Sequence, residues 1–266
     1  MPCLFWKRPV KEESQAPLQF VMGAYSHSGK IKNVNEDSFC YCNLPGAPMA
    51  MALVGDGIGG HQDGDIASNF MARLFLFRFR ELLRKEEEPS RIPCGDFLMD
   101  CALEANKIMA EVNHSAGHLH PMGTTLVSCL FAGNRLFTLH AGDSRIYLFR
   151  KGKLSALTCD HSVVQELIRK GSLRQEDAPF HPMSHVITKA VGPRMKLRPE
   201  AGEFMLQRGD LVLLCSDGLL RHVTEKGIGA ILKEKLPPSR LAYKLVMTSL
   251  YGGGIDNITA ICVRVE

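Results

Sequence analysis

Two pairs of neighbouring apolar segments in this sequence are joined by turns so short that the strands they form must run antiparallel. One pair turns at Gly133-Asn134 and the other at Lys151-Gly152, and each turn contains the glycine that tight β-hairpin turns favour. Parallel neighbours need a crossover of about a dozen residues or more. The sequence therefore predicts antiparallel sheets and argues against a doubly wound parallel sheet.

The strands and helices alternate along the chain. Short apolar segments bounded by turn residues predict strands at residues 19–25, 38–42, 49–54, 125–131, 135–140, 145–150, 186–188, 211–215 and 258–265. Helical spacing of apolar residues predicts helices at residues 66–85, 97–113 and 239–250. A shorter helix follows the capping box of Ser162 and Gln165 and ends at Gly171. We expect an α+β fold of four layers, αββα, with two packed antiparallel sheets (a β-sandwich) flanked by helices.

The composition is that of an ordinary globular protein. Of the 266 residues, 45% are hydrophobic and 23% are charged, which excludes a disordered, collagen-like or coiled-coil chain. Residues 1–18, with prolines at positions 2, 9 and 17, are predicted to form a flexible leader. No linker-like composition or internal repeat interrupts the rest, so residues 19–266 are predicted to form a single domain.

Charge and cysteine usage limit the expected partners and compartment. The 32 basic and 28 acidic residues give a net charge of +4, too mild and too evenly spread to indicate nucleic acid. No apolar run approaches the roughly 20 residues that cross a bilayer, so we expect no membrane partner. The nine cysteines are odd in number and lack a CxxC pair, which argues against a disulfide framework. We expect a cytoplasmic monomer.

Aspartates at strand ends carry the chemical signal. Four predicted strands lead into or out of the segments Gly55-Asp56-Gly57, Gly142-Asp143-Ser144, Ser216-Asp217-Gly218 and Gly254-Ile255-Asp256. Each aspartate alone is explained by a turn, but four strand ends can meet in one small region. Four such anions repel one another unless a cation holds them. Because no histidine or cysteine stands at ligand spacing, the set favours Mg²⁺ or Mn²⁺ over zinc.

A further acidic pair, Glu36-Asp37, follows Lys32 in a segment between two predicted strands. One interpretation is an ordinary solvated loop. The functional interpretation is that both carboxylates join the metal-binding set and that Lys32 binds an anion. The sequence spacing leaves both interpretations open.

Taken together, these motifs resemble the protein phosphatase 2C family of metal-dependent serine/threonine phosphatases in its compact bacterial form. The matching segments occur in family order over about residues 20–265. They are Asn35-Glu36-Asp37, Gly55-Asp56-Gly57-Ile58-Gly59-Gly60-His61, Gly64-Asp65-Ile66-Ala67-Ser68, Met122-Gly123-Thr124-Thr125, Gly142-Asp143-Ser144-Arg145, Asp160-His161-Ser162, Ser216-Asp217-Gly218-Leu219 and Asp256-Asn257-Ile258-Thr259. A lone Asp-Gly pair carries little information, whereas this ordered series is specific.

The resemblance implies a hydrolase with two Mn²⁺ or Mg²⁺ ions that activate a water for direct attack on phosphoserine or phosphothreonine, without a phosphoenzyme. It assigns Asp56 as the bridge between the ions and Lys32 as the phosphate-binding residue. The implied metal ligands are Glu36, Asp37, Asp56, Gly57 through its carbonyl, Asp217 and Asp256, with Asp143 holding a third, weaker ion. The implied partners are phosphorylated proteins, modified by an opposing serine/threonine kinase.

Three positions depart from the family pattern. Lys32 stands where the family usually has an arginine, which offers a point charge in place of a bidentate fork. Arg221 stands where some members have a second aspartate, which weakens the expectation of a third ion. Ile58 stands where eukaryotic members have a histidine proposed as the general acid. His61 is a minor candidate for that role, and a structural role is the favoured interpretation.

Two alternatives to an active phosphatase remain open at this point. Lys32 and Arg221 motivate a catalytically weak pseudophosphatase that binds phosphoproteins as a regulator, although all four core aspartates are present. A metal-dependent nuclease would use the same carboxylate chemistry. The mild positive charge and the lack of basic clusters with interleaved aromatic residues count against the nuclease.

Overall fold

The computed structural model describes residues 17–43, 49–59, 63–85, 92–117 and 120–266. The strands in this part are β1 (Phe20–His27), β2 (Asp37–Asn43), β3 (Met49–Ile58), β4 (Gly123–Thr124), β5 (Leu126–Ala132), β6 (Arg135–Ala141), β7 (Arg145–Arg150), β8 (Lys153–Ala156), β9 (Glu200–Met205), β10 (Leu211–Cys215) and β11 (Ile258–Val265). The helices are α1 (Gly64–Lys85), α2 (Cys94–Ala116), α3 (Val163–Arg169), α4 (Asp217–Leu220), α5 (Glu225–Leu232) and α6 (Pro238–Gly252).

The strands form two sheets. One sheet has the order β1-β11-β10-β7-β8, and the other has the order β2-β3-β5-β6-β9 with β4 paired to β3. All pairings between the described strands are antiparallel. The predicted hairpin turns are present, and Gly133, Lys151 and Gly152 adopt the positive φ angles that such turns require. The predicted antiparallel α+β fold is confirmed.

Alternation of side chains along the central strands creates the layers. In β3, Met49, Met51 and Leu53 face the apolar layer under α1 and α2, whereas Ala52 and Val54 face the layer between the sheets. A third apolar layer separates the other sheet from α5 and α6. Successive strand residues point to opposite faces, so strands that are apolar at every position are buried on both sides. The four-layer arrangement αββα follows.

Several local expectations differ from the structure. The predicted strand at residues 186–188 is wrong, since only an isolated bridge from Ile187 to Ser162 forms there. Strands β4 and β9 and helices α4 and α5 were not predicted, and β8 was expected only as the second strand of the Lys151-Gly152 hairpin. The predicted leader lies outside the described residues except for Pro17 and Leu18, and Leu18 packs against the layer between the sheets. No helix in the described part of the chain combines the length and apolarity needed to cross a membrane.

Strand register gathers the aspartates at one edge of the two sheets. Asp37 at the start of β2 pairs with Asp56 near the end of β3. In the other sheet, β10 runs antiparallel to β11, so Asp217 after β10 lies beside Asp256 before β11. The Ser216 hydroxyl donates a hydrogen bond to Asp37 Oδ2 at 2.7 Å and thereby joins the two pairs.

Candidate metal centre

Four carboxylates, those of Asp37, Asp56, Asp217 and Asp256, form a group that we call the acidic centre. Mutual repulsion is visible in the pKa values. Burial raises the pKa of Asp56 well above its ordinary value, and the charges of the other three aspartates and of Asp143 raise it further. Burial likewise raises the pKa of Asp37 to about 7, with further contributions from Asp217 and Asp256. Charged together, these groups need a cation.

Two oxygens of the acidic centre lack a partner. Asp37 Oδ1 and Asp217 Oδ1 are buried, and neither has a hydrogen bond within the part of the chain that the structure describes. Buried polar atoms almost always have a partner, so an unsatisfied pair of acceptors calls for an explanation. Since carboxylate oxygens are the ligands that hard divalent cations prefer, the residues present fit Mg²⁺ or Mn²⁺.

The backbone around Asp56 is fixed by buried hydroxyl groups. The Asp56 N–H donates to Thr125 Oγ1 at 2.9 Å, and Thr125 Oγ1 bonds the Ser144 hydroxyl at 2.8 Å. The Thr125 N–H donates to the Asp56 carbonyl at 2.8 Å. Asp56 is therefore held on both sides of its peptide. Thr125 belongs to one of the sequence motifs, which by itself assigns it no role.

Gly57 is required by close packing. A Cβ at this position would lie 2.1 Å from the carbonyl oxygen of Gly64, at the start of α1, and no side chain fits that space. The Gly57 N–H donates to the Glu36 carbonyl at 3.0 Å. The start of α1 and the Glu36 loop are thereby brought against the end of β3.

Asn257 anchors the loop that carries Glu36. Its Oδ1 accepts the Glu36 N–H at 2.9 Å, and its Nδ2 donates to the carbonyls of Ser28 and Val34 at 2.8 and 3.0 Å. The Ser68 hydroxyl donates to the Glu36 carbonyl at 2.6 Å. The predicted acidic pair Glu36-Asp37 is thus held next to Asp256, and the anchoring residues were not assigned from the sequence.

Lys32 lies at the mouth of the acidic centre. Its Nζ is 3.4 Å from Asp256 Oδ1 and 3.6 Å from Glu36 Oε2, and its side chain is 43% exposed. Burial by itself would lower the pKa of Lys32, but the carboxylates of Asp256 and Glu36 raise it above the ordinary value. The ammonium group is therefore charged at neutral pH and accessible to an anion.

Arg221 supplies a second positive charge. Its Nη2 is 2.6 Å from Asp217 Oδ2 and 3.2 Å from Asp256 Oδ2, while Nη1 is 3.3 Å from His185 Nδ1. Asp143 lines a separate cleft of about 200 Å³ together with Arg145. Burial, and to a smaller extent the charge of Asp217, raises the pKa of Asp143 to about 7. The position that the resemblance links to a third ion thus has an arginine already bound to two carboxylates.

Ile58, two residues after Asp56, is one of the residues that line a groove. It has no group that could donate a proton. His61, the minor candidate for the general acid, lies outside the described residues.

A second polar group, which the sequence did not reveal, consists of His140, His161, Lys189 and Glu200; we call it the histidine cluster. His161 Nδ1 accepts the Gly142 N–H at 3.2 Å, so its Nε2 donates to Glu200 Oε1 at 2.8 Å. Potential ligand atoms of His140, His161 and Glu200 lie within 4.8 Å of one another. Lys189 Nζ, however, is 2.9 Å from Glu200 Oε1 and 3.0 Å from His161 Nε2, so a cation is already present there.

The comparisons with known proteins all indicate the same family. The model of the protein phosphatase 2C family matches residues 25–240. The serine/threonine phosphatase stp of Listeria monocytogenes is 36% identical over 240 residues, covering 89% of this chain and 92% of that protein.

Solved structures agree with this match. The Mycobacterium tuberculosis serine/threonine phosphatase PstP/Ppp superposes with a TM-score of 0.82 at 31% identity, covering 94% of this chain and all of the other. The catalytic domain of PstP in complex with two manganese ions gives a TM-score of 0.80 at 32% identity, covering 93% and 99% of the two chains.

Proposed function

This chain belongs to the protein phosphatase 2C family and is a metal-dependent serine/threonine protein phosphatase, and we propose that the acidic centre is its active site. The observation that carries the proposal is the convergence of Asp37, Asp56, Asp217 and Asp256, with two buried carboxylate oxygens that lack a partner among the described residues. The substrates are proteins that carry phosphoserine or phosphothreonine.

The acidic centre would hold two divalent ions, either Mn²⁺ or Mg²⁺. The proposed ligands are Asp56, the Gly57 carbonyl, Asp217 and Asp256, with Glu36 and Asp37 binding directly or through water. When bound, such ions neutralise the phosphate charge and acidify the attacking water. We propose a third ion at Asp143 as a weaker site than the other two, because Arg221 already contacts Asp217 and Asp256.

The side chains of the protein position the reactants. Lys32, at the mouth of the acidic centre, binds the phosphate oxygens as a point charge. Thr125 and Ser144 fix the peptide of Asp56, so that the backbone that carries its carboxylate is held in one position. No protein nucleophile is required, since water attacks the phosphorus in line.

The broader setting is part of the same proposal. We place the catalytic domain at residues 19–266 and expect it to act as a monomer in the cytoplasm, opposing a serine/threonine kinase in signalling. The eight described cysteines are free thiols and seven of them are buried, which suits a reducing compartment.

The decisive experiment is turnover of a phosphothreonine peptide and of a simple aryl phosphate with and without Mn²⁺. Activity should require the metal and stop with EDTA. Asp56→Asn and Asp217→Ala should each lower kcat by more than about 100-fold, because changes even to the partners of metal ligands cost about 10–100-fold. Unchanged activity in Asp56→Asn would refute the assignment.

Variants at Lys32 test the active enzyme against the pseudophosphatase alternative. Loss of a charged hydrogen bond to phosphate should raise KM about ten-fold in Lys32→Ala, whereas Lys32→Arg should retain or improve binding. Lys30→Ala, an exposed neighbour in the same loop, is the matched control and should leave KM unchanged. Phosphopeptide binding without turnover at saturating Mn²⁺ would instead support a pseudophosphatase.

A further inference from the structure

A groove of about 450 Å³ lies beside the acidic centre and has an apolar floor. Ile58, two residues after Asp56 in β3, lines it together with Ile187, Pro193 and Leu197. Since Ile58 continues the strand that carries Asp56, a polypeptide with its phosphorylated residue at the acidic centre would reach this groove with adjacent residues.

The rim of the groove is positively charged. Arg194, Lys196 and Arg198 line it and are exposed. None of the three has an ion pair or a side-chain hydrogen bond within the part of the chain that the structure describes. Lys189, also in the lining, differs because it contacts Glu200. Three exposed cations next to an apolar floor are suited to a ligand that is acidic and partly apolar.

The segment of residues 192–198, which carries the three cations, is held in place by two asparagines of α2. Asn106 Nδ2 donates to the carbonyls of Arg194 and Met195 at 2.9 and 3.0 Å, and its Oδ1 accepts the Gly192 N–H at 2.9 Å. Asn113 Nδ2 donates to the Gly192 carbonyl at 3.1 Å. Both asparagines are buried. The backbone beneath the cations is therefore fixed before a ligand binds, which lowers the entropy lost on binding.

We propose that this groove binds the residues that flank the phosphorylated residue in the protein substrate, and that it selects segments with acidic residues and one apolar side chain. The inference rests on the proposed function of the acidic centre and adds the class of substrate. A peptide fits better than nucleic acid, because none of the described residues in the lining has an aromatic side chain on which a base could stack.

The test compares two phosphothreonine peptides that differ only in flanking glutamates, which are replaced by glutamines in the second. For the wild type, kcat/KM should be about ten-fold higher for the glutamate peptide at low salt, from three surface charge pairs of about 0.5 kcal/mol each. This ratio should shrink at high salt. In a triple variant, Arg194→Gln, Lys196→Gln and Arg198→Gln, the ratio should fall to about one.

A matched triple variant on α5 and the segment after it, Lys226→Gln, Lys233→Gln and Lys235→Gln, removes the same charge from exposed positions that do not line the groove and should keep the wild-type ratio. Replacing the apolar flanking residue of the peptide by serine should lower kcat/KM for the wild type. Because each ratio is taken within one variant, a common change in the catalytic step cancels.

Equal kcat/KM values for the two peptides in the wild type, with the aryl phosphate still hydrolysed, would overturn the groove assignment and leave the proposed function intact. Should no substrate be hydrolysed, the proposed function fails, and fluorescence anisotropy of the unphosphorylated glutamate peptide decides the groove. Binding that is lost in the groove triple variant supports it, and absence of binding overturns it. Equal competition by single-stranded DNA would also overturn the peptide assignment.

Discussion

The acidic centre and the histidine cluster are both partly buried groups of ionisable side chains, yet their electrostatic states are opposite. In the histidine cluster, hydrogen bonds from Lys189 and His161 lower the pKa of Glu200 to about 2, and burial lowers the pKa of His161. In the acidic centre, burial and repulsion raise the pKa of Asp37 to about 7. In the histidine cluster, one carboxylate is paired with Lys189. In the acidic centre, four carboxylates share the charges of Lys32 and Arg221, and two of their oxygens lack a partner among the described residues.

The difference separates a polar group that stabilises the fold from one that is suited to a metal. The His161 N–H donates to the Gly142 carbonyl at 2.9 Å and the His161 carbonyl accepts the Thr188 N–H at 2.7 Å, so the histidine cluster connects the Asp143 turn with a segment that lines the groove. Convergence of ligand-type atoms alone would have favoured the histidine cluster. The balance of charge favours the acidic centre.

The largest expected effect is stabilisation by metal. Addition of Mn²⁺ to chelator-treated protein at about 100 times Kd should stabilise the fold by about 2.7 kcal/mol per ion, or roughly 5 °C or more in Tm. The shift should vanish in Asp56→Asn/Asp217→Asn and persist in His161→Gln/Glu200→Gln, each measured against its own metal-free baseline by calorimetry. The reverse pattern would place the ions in the histidine cluster and break the comparison.

A smaller effect concerns the pH dependence of the metal-free protein. The aspartates Asp37 and Asp143 have pKa values near 7 when folded and about 3.9 when unfolded. Between these values the folded state binds more protons, so stability should fall as pH rises from about 4 to 7. Asp37→Asn should stabilise the chelated protein at pH 7 by about 2 kcal/mol. Urea unfolding at several pH values measures both, and a rise in wild-type stability over this range would contradict the assignment.

The smallest expected effect is the change in stability when Lys189 is removed from the histidine cluster. Because the folded pKa of Glu200 is depressed to about 2, its stabilising contribution is present above about pH 4.5 and is lost as pH falls toward 2. Glu200 is 53% exposed, so solvent screening limits the contribution, and Lys189→Met should cost only about 0.5–1 kcal/mol. Lys170→Met, at an exposed position, is the control. If Lys189→Met lowered the free energy of unfolding by more than Mn²⁺ binding raises it, the distinction between the histidine cluster and the acidic centre would be wrong.

The positions of most strands and the aspartate motifs could be predicted because both depend on local patterns. Strands β7, β10 and β11 have the predicted bounds, since runs of β-branched and apolar residues between turn signals suffice to define them. Strand β3 continues to Ile58, four residues past its predicted end, because Gly57 and Ile58 pair with β4. Such pairing depends on a distant segment and leaves no local signal.

Elements with weak local preferences were missed for a related reason. Helix α5 contains Gly227 and Gly229, which disfavour a helix, yet Ile228 and Ile231 bury their side chains against the sheet layer. Strand β9 has an exposed, partly polar sequence and forms by pairing with β6. In both cases, tertiary packing outweighs the intrinsic propensity of the segment.

The sequence by itself determined the antiparallel layers, the family resemblance and the aspartates, since alternation, turn chemistry and motif order are local properties of the chain. Only the tertiary structure decided which cations and amides accompany those aspartates. Asn257 holds Glu36 across 221 sequence positions, and Arg221 and Lys32 both reach Asp256. Such contacts are set by sheet register and by the packing of whole layers, which bring distant residues to distances at which charge and hydrogen bonding act.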